Sequence, residues 1–367
     1  MQRYLGQPLR PQPHIAVFIW DKIGNFVVAT VVLRALRERF PGCTIDVLSG
    51  DRTRELEEAS DLIDARFSIV GTPAVLPQFA DFVADRTSKH GQYDLAINLD
   101  AEQLFQIAIA FLDPIYAVGT AFDSGFRQKL PGPGGRLGDL AGDSRWNRSD
   151  LLDDFGDLLT SQYLGEIWCR MSFLETDFSQ PVVPVADPGS DVPDVLIVTG
   201  GTRKAKLWPT EYWRELAHLV RAEGMSIGLV GIARSEQAAH YGAADTDDLL
   251  INEAGVIDLR GRWTLPQVAG AARRARATVS IDNGIGHIAS AVDAPTIMLW
   301  GGSPWRLWRP RSANVHHLLP STVCMLCEIS RFQHSDCLRE QQVCMDSIRP
   351  QRVLNEIRRL PARTPDS

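Results

Sequence analysis

The sequence predicts an α/β protein made of two domains, each built around a parallel sheet. In both halves, short apolar runs typical of buried strands alternate with longer amphipathic stretches typical of helices. Gln180–Pro193 contains four prolines and separates the halves as a linker would. The length of 367 residues also suits two cores better than one.

The first predicted domain, residues 1–180, opens with the strand–turn–helix–strand unit of a parallel sheet. Its predicted strands are His14–Trp20, Thr44–Leu48 and Tyr93–Leu99, and its predicted helices follow Asn25 and cover Gln103–Leu112. Leu130–Gly138 is rich in glycine and proline, which predicts a loop. That loop is either a surface excursion or a lid that binds an acceptor.

The second predicted domain, residues 194–345, repeats the pattern, and residues 346–367 form a C-terminal helix and tail. Its predicted strands are Val195–Thr199, Ser226–Val230, Thr278–Ile281 and Thr296–Trp300. Its predicted helices are Glu211–Glu223, Leu265–Arg276 and Gly286–Val292, and the terminal segment contains the predicted helix Pro350–Leu360. Two such domains are expected to face each other across a cleft, a preferred position for a ligand.

Charge and hydropathy exclude some classes of protein. The formal net charge of −7 argues against a general nucleic-acid binder, which usually carries a basic excess. The sequence has no run of the roughly 18 apolar residues that span a bilayer. Met1–Pro13 is polar, unlike a secretory signal. These features predict a soluble, cytoplasmic protein with at most peripheral membrane contact.

The segment Ser280–Ala289 contains the strongest candidate ligand site. A predicted strand ends at Asp282, Gly284 and Gly286 allow a tight turn, and a helix follows near His287. Ligands of open α/β sheets bind beyond the carboxyl ends of strands, where helix N-termini attract phosphate groups. The alternative is an ordinary strand–turn–helix corner with a hydrogen-bonded histidine.

A second candidate segment follows the first strand of the second domain. Lys204 and Lys206 are two of only five lysines in the chain, and they precede Pro209, where a helix is expected to begin. Lysine suits the neutralisation of a diphosphate. The alternative is a solvated surface loop.

The third segment, Asp21–Asn25, occupies the matching strand end of the first domain. There it would meet an acceptor rather than a nucleotide. Asp21 is a candidate general base, or else a residue that only supports the turn.

Together these segments resemble glycosyltransferase family 9, the heptosyltransferase family. The resemblance extends from about Ile15 to Leu360. It is carried by Asp21-Lys22-Ile23-Gly24, Leu33-Arg34-Ala35-Leu36, Tyr93-Asp94-Leu95, Val118-Gly119, Lys206-Leu207-Trp208-Pro209, Asp282-Asn283-Gly284 with His287, and Pro295-Thr296-Ile297-Met298-Leu299-Trp300-Gly301.

This resemblance implies a GT-B fold, with two Rossmann-like domains facing an interdomain cleft, and inverting transfer of heptose from an ADP-sugar without a catalytic cofactor. It also implies that the second domain holds most of the donor site and that Glu236 contacts the nucleotide ribose. With the charge argument above, the predicted donor-binding residues are Gly24, Lys204, Lys206, Glu236, Asp282, Asn283, Gly284 and His287.

The sequence departs from the family at Asn25. Many members have aspartate there, which is thought to be the catalytic base, whereas an amide is no useful base at neutral pH. Three interpretations follow. Asp21 can act as the base while Asn25 orients the acceptor hydroxyl, or another acid of the first domain can act as the base. Alternatively, the chain is a weak or inactive relative. We favour a substitute base because the other donor-site residues are present.

Four cysteines, Cys324, Cys327, Cys337 and Cys344, lie within 21 residues, and the leading pair has the spacing of a structural metal site. Four thiolates suit tetrahedral zinc or iron, and His334 can replace one ligand. The alternative is four reduced, half-buried thiols.

The sequence therefore predicts a glycosyltransferase that uses an ADP-sugar donor and a glycan, protein or small-molecule acceptor. Two other classes remain open. One is an inactive nucleotide-sugar binder, which Asn25 suggests, and the other is a nucleotide-sugar epimerase or hydrolase of the same architecture.

Overall fold

The computed structural model describes residues 1–70, 75–235, 243–322 and 324–361. The chain divides into two compact units, Met1–Val182 and Val183–Ser367. Each unit holds one six-stranded parallel sheet with helices, so the predicted α/β class with two parallel sheets is confirmed.

The sheet of the first unit has the order β1-β6-β5-β2-β3-β4, and all of its strand pairs are parallel. Its strands are β1 Gln2–Arg3, β2 His14–Phe18, β3 Thr44–Ser49, β4 Ala65–Ser68, β5 Leu95–Asn98 and β6 Tyr116–Val118. The two central strands, β2 and β5, are buried along their whole length, as expected of a sheet covered on both faces.

The first four helices of this unit connect successive strands from β2 to β6, and the last three follow β6. They are α1 Ile23–Arg39, α2 Arg54–Glu58, α3 Val75–His90, α4 Gln103–Leu112, α5 Gly135–Gly142, α6 Leu151–Phe155 and α7 Leu164–Met171. The long buried face of α1 matches the apolar spacing seen in the sequence.

The second unit repeats this design with the order β12-β11-β10-β7-β8-β9, again fully parallel. Its strands are β7 Val195–Val198, β8 Ile227–Leu229, β9 Ile257–Asp258, β10 Ala277–Ile281, β11 Thr296–Leu299 and β12 Val315–Leu318.

A short 3₁₀ turn, Lys204–Lys206, precedes the first helix of the second unit. The helices described in this unit are α8 Thr210–Ala222, α9 Ala244–Glu253, α10 Leu265–Arg274, α11 Gly284–Ala291, α12 Trp305–Trp308, α13 Leu326–Ile329, α14 Val343–Asp346 and α15 Pro350–Arg359. The terminal helix α15 packs on α8 and buries Val353, Leu354 and Ile357 in the core of this unit. No described helix is both long and apolar enough to cross a bilayer.

Both sheets reverse their strand order at one point, and these points set where ligands can bind. In the first sheet β3 lies on one side of β2 and β5 on the other, so the reversal falls between β2 and β5. In the second sheet the equivalent reversal falls between β7 and β10. In open α/β sheets the crevice beyond the carboxyl ends of these two strands is the usual ligand site.

The predicted elements agree with the structure to within a few residues, with one clear error. Leu130–Gly138 was expected to be a loop throughout, but Gly135 begins helix α5, so only the first part is irregular. Gly134 and Gly135 both have a positive φ at the N-terminus of α5. Because consecutive glycines are typical of loops, nothing in the sequence indicated that a helix begins there. The two-residue strand β1, paired with β6, gave no signal in the sequence.

A buried polar network anchors the amino-terminal ends of strands in the first sheet. The candidate sites lie at the other, carboxyl-terminal ends of the strands. Asp46 accepts hydrogen bonds from Tyr93 at 2.7 Å and from Arg86 at 2.7 and 2.9 Å. The His14 ring lies 2.9 Å from the same carboxylate. Burial opposes ionisation, but these partners hold the pKa of Asp46 below its usual range. This satisfied cluster is structural.

Candidate functional site

The switch point of the second sheet holds a buried cluster of one carboxylate and two basic side chains. Asp282 follows β10 directly, and one of its carboxylate oxygens accepts a hydrogen bond from the Lys206 ammonium at 2.6 Å. The other oxygen lies 3.3 Å from Nε2 of His287. The sequence separation between Lys206 and Asp282 is 76 residues, and the fold brings them together because β7 and β10 are neighbours.

Charge balance explains why this carboxylate is ionised although Asp282 is only 5% exposed. Burial alone raises a carboxyl pKa, but the Lys206 ammonium and the His287 ring outweigh it and lower the pKa of Asp282 below its ordinary value. Asp282 thus fixes the position of Lys206. An ammonium has three donors, so Lys206 retains hydrogen-bonding capacity for an anionic ligand.

Asn283 shapes the turn between β10 and α11. Its side-chain oxygen accepts from the N–H of Gly286 at 3.0 Å and so caps the helix, while its side-chain nitrogen donates to the Gly200 carbonyl at 3.1 Å. The asparagine therefore ties the loop after β10 to the loop after β7. A Cβ at Gly286 would lie 2.8 Å from Oγ of Ser280, which is why this position requires glycine.

The remaining N-terminal amides of α11 and its positive dipole end lie at the same switch point as Lys206. A helix start of this kind, beside a lysine held in place by a buried aspartate, is a suitable environment for a diphosphate. The predicted residues Lys206, Asp282, Asn283, Gly284 and His287 are thus brought together in one place.

The loop that carries Lys206 is fastened to the cysteine-containing segment at several points. The guanidinium of Arg203 donates to the His334 carbonyl at 2.7 and 2.9 Å and to the Gly302 carbonyl at 2.7 Å. The backbone N–H of Ala205 donates to the Ser335 carbonyl at 2.9 Å, and the Ala205 carbonyl accepts from the Gln342 side chain at 2.6 Å. Sequence reasoning missed Arg203 because its partners lie 99 and 131 residues away.

Lys204 and Glu236 differ from the rest of the predicted donor set. Lys204 is exposed and pairs at 3.3 Å with Asp336, which is also exposed, so it is not held in the buried cluster. Glu236 lies outside the described residues. Its role therefore stays a prediction.

In the first unit, Asp21 lies after β2 and is engaged on the side of β3. Its carboxylate accepts from the backbone N–H of Arg52 at 2.9 Å, and the Arg52 guanidinium lies 4.0 Å away. It also packs against Gly50, where an added Cβ would lie 2.2 Å from the carboxyl carbon. Burial raises the pKa of Asp21, and the Arg52 amide and guanidinium oppose this.

Gly24 and Asn25 fall in the first turn of α1, which begins at Ile23 with Lys22 as its N-cap residue. They belong to the first unit, whereas the other predicted donor residues belong to the second. Both are partly buried.

The four clustered cysteines are all reduced and partly buried. Burial raises the pKa of Cys344 to about 11, the backbone amide of Met345 opposes the rise, and the thiols of Cys327, Cys337 and Cys324 add to it. Across the described part of the chain, however, no three His, Cys, Asp or Glu side chains are grouped closely enough to hold a metal ion. The predicted four-thiol arrangement is therefore not assembled here.

Comparison with known proteins places these features in context. Residues 154–333 match glycosyltransferase family 9 (heptosyltransferase). A lipopolysaccharide heptosyltransferase 1 of Pseudomonas aeruginosa is 31% identical over 183 residues, which cover 47% of this chain and 48% of the relative. The chain thus spans about half the length of this curated relative.

Solved structures agree over a longer stretch. The Escherichia coli ADP-heptose lipopolysaccharide heptosyltransferase II superposes with a TM-score of 0.66 at 18% identity, covering 94% of this chain and 98% of the other. An iron-containing dodecameric glycosyltransferase of enterotoxigenic E. coli superposes with a TM-score of 0.59 at 14% identity, covering 96% and 77%. At these identities the likeness establishes the fold, which is the predicted GT-B type with two Rossmann-like domains.

Proposed function

We propose that the chain, whose residues 154–333 match glycosyltransferase family 9, transfers a sugar, heptose in the first instance, from an ADP-linked donor to an acceptor hydroxyl. The observation that carries this proposal is the Lys206–Asp282–His287 cluster beside the N-terminus of α11. The E. coli structural neighbour is an ADP-heptose enzyme, which supports this choice of donor.

In this proposal the second unit binds the diphosphate and stabilises it as a leaving group. Lys206 and the dipole of α11 face the oxygens on which negative charge grows as the bond to the sugar breaks. Asp282 and His287 act by holding Lys206 and the turn in place. The first unit binds the acceptor and supplies the base. From the sequence, Asp21 is the predicted base and Asn25 is predicted to orient the hydroxyl.

A single displacement by the acceptor oxygen inverts the anomeric carbon, so we propose inversion. The reaction needs no cofactor, since the chemistry consists of proton removal and electrostatic stabilisation of the diphosphate. The acceptor can be a glycan, a protein or a small molecule. Lipopolysaccharide is the first to test because the curated relative acts on it.

We expect ADP to bind the purified protein at least tenfold more tightly than UDP or GDP in isothermal titration calorimetry. The physical basis is a diphosphate site common to all three nucleotides and a base pocket that selects adenine, as the name of the E. coli neighbour suggests. Equal binding of the three nucleotides would remove the support for an ADP-sugar donor. Nucleotide binding without sugar transfer would indicate an inactive binder.

We also propose that Cys324, Cys327, Cys337 and Cys344 hold a structural zinc or iron ion. Their thiolates are suitable donors, and a cation would lower the pKa of each thiol and draw the four sulfurs together. One structural neighbour is iron-containing. All four thiols would be used as ligands, so such an ion would have no open position for catalysis.

Elemental analysis of the purified protein is expected to find about one equivalent of zinc or iron per chain. Cys327→Ser should lower the metal content several-fold because three sulfurs and a hydroxyl bind less tightly. Cys169→Ala is the matched control, since Cys169 lies alone in the core of the first unit. A metal-free wild type, or equal content in all three proteins, would contradict the proposal.

A further inference from the structure

The departure at Asn25 leaves the proposed reaction without the usual base, and the structure offers a carboxylate that the sequence motifs did not indicate. Asp100 lies two residues beyond the end of β5, at the carboxyl edge of the first sheet. In the ladder, Phe18 of β2 is opposite Asn98 of β5, so the loops after these two strands leave the sheet side by side. Between them lies the switch point of the first unit.

The loop after β5 is rigidly built. The side chain of Asn98 donates to the Thr120 carbonyl at 2.7 Å and accepts from the N–H of Asp100 at 3.1 Å. The Gln106 side chain donates to the Ala101 carbonyl at 2.8 Å. Gly119 has a positive φ and passes so close that an added Cβ would lie 2.2 Å from the Asn98 carbonyl oxygen. These contacts fix the backbone that carries Asp100.

The Asp100 carboxylate accepts the N–H of Glu102 at 3.1 Å and is close enough to Lys22, on the loop after β2, to feel its charge. Burial raises the pKa of Asp100, and the backbone amides of Glu102 and Ala101 oppose the rise. The negative charge of Glu102 adds to the rise, and the positive charge of Lys22 opposes it. A carboxylate that is less acidic than usual is a stronger proton acceptor.

The two units use their switch points in the same way. In the second unit an aspartate after β10, Asp282, is near a lysine on the loop after β7. In the first unit Asp100 follows β5, and Lys22 follows β2. Asp21, by contrast, turns to the β3 side, where Arg52 and Gly50 occupy it. Of these two carboxylates, Asp100 is the one beside the crevice.

We infer that Asp100 is the general base of the proposed transfer, an inference that rests on the function proposed above. The acceptor hydroxyl gives its proton to the Asp100 carboxylate while its oxygen forms a bond to the anomeric carbon. The bond from that carbon to the diphosphate oxygen breaks, and its electron pair leaves with ADP. Lys22 and Asn25, on the neighbouring loop and helix turn, position the acceptor.

The test is Asp100→Asn, because an asparagine keeps the size of the side chain and can still accept the Glu102 amide. Turnover is measured as ADP release from ADP-heptose with heptose-free lipopolysaccharide as acceptor. We expect kcat to fall by about 10²–10⁴-fold, with ADP affinity and melting temperature close to wild type. Asp85→Asn, an exposed carboxylate of the same unit that pairs with Lys89, is the matched control and should retain wild-type kcat.

Asp21→Asn separates the two candidate bases. If it abolishes turnover with ADP binding intact while Asp100→Asn retains more than about a tenth of wild-type kcat, Asp100 is not the base. If Asp100→Asn melts far below wild type, Asp100→Glu distinguishes a catalytic from a structural role. The retained carboxylate should restore part of the turnover if Asp100 is the base, and none of it if the role of Asp100 is structural. A wild type without turnover would defeat the proposed function itself, irrespective of any variant.

Discussion

Replacing Lys206 with alanine is expected to weaken ADP binding by about 10- to 100-fold. A hydrogen bond between charged groups contributes about 1.5–3 kcal/mol, and each 1.4 kcal/mol is a factor of ten in affinity. Lys206 is a strong case because its side chain is only 18% exposed and its ammonium is held 2.6 Å from Asp282. Little ordering entropy is then lost when a diphosphate binds.

Lys204→Ala is the matched control for this experiment. It removes the same charge from the same short turn, but Lys204 is 68% exposed and pairs with Asp336, which is also exposed. Its effect on ADP affinity should stay within about threefold, as expected of a solvated charge. Equal losses in the two variants would mean that the turn contributes general positive charge, and no loss in either would place the diphosphate elsewhere.

Thermal melting must accompany the titration, because Lys206→Ala also leaves Asp282 buried without its cation. Removing one partner of a buried ion pair typically costs about 3–5 kcal/mol of stability. Saturating ADP should raise the melting temperature of the wild type more than that of the variant. If both proteins are stabilised equally by ADP, Lys206 does not contact the nucleotide.

Local patterns predicted most of the sheet and helix positions, for a clear physical reason. Apolar runs such as Val195–Val198 and the spacing along α1 report directly which faces are buried. The turn at Asp282–Gly284 was also visible, because a strand end, a capping asparagine and glycines are close in sequence. Local sequence therefore revealed the corner that holds the proposed donor site.

Contacts between distant segments were out of reach of that reasoning. Nothing near Asp282 in the sequence shows that Lys206 reaches its carboxylate, or that Arg203 binds the carbonyl of His334. Asp100 had a usable signal, since it follows a predicted strand, but the strand order that makes β5 the neighbour of β2 was needed to interpret it. The same strand-end argument was applied to Asp21 instead.

Replacing Asp282 with asparagine is expected to lower the free energy of unfolding by about 3–5 kcal/mol at pH 7 and to weaken ADP binding. The substitution leaves Lys206 and His287 without their common carboxylate in a buried site. ADP binding should weaken because Lys206 is then no longer held beside α11. Urea unfolding measures the first effect and calorimetry the second.

The pH dependence of the difference in unfolding free energy between wild type and Asp282→Asn identifies the cause of that difference. The pKa of Asp282 in the folded protein lies below its ordinary value, because Lys206 and His287 favour the carboxylate over the effect of burial. Its contribution to stability is therefore fully present above the unfolded pKa of about 4 and is lost as the pH falls toward the folded pKa. The difference in unfolding free energy between wild type and Asp282→Asn should be constant from pH 7 to about 5 and shrink below about 4.

Asp336→Asn, which changes an exposed carboxylate in the same unit, is the control and should change stability by less than about 1 kcal/mol at every pH. A difference for Asp282→Asn that persists unchanged at pH 3 would mean that the asparagine disturbs packing and that the buried ion pair does not stabilise the site.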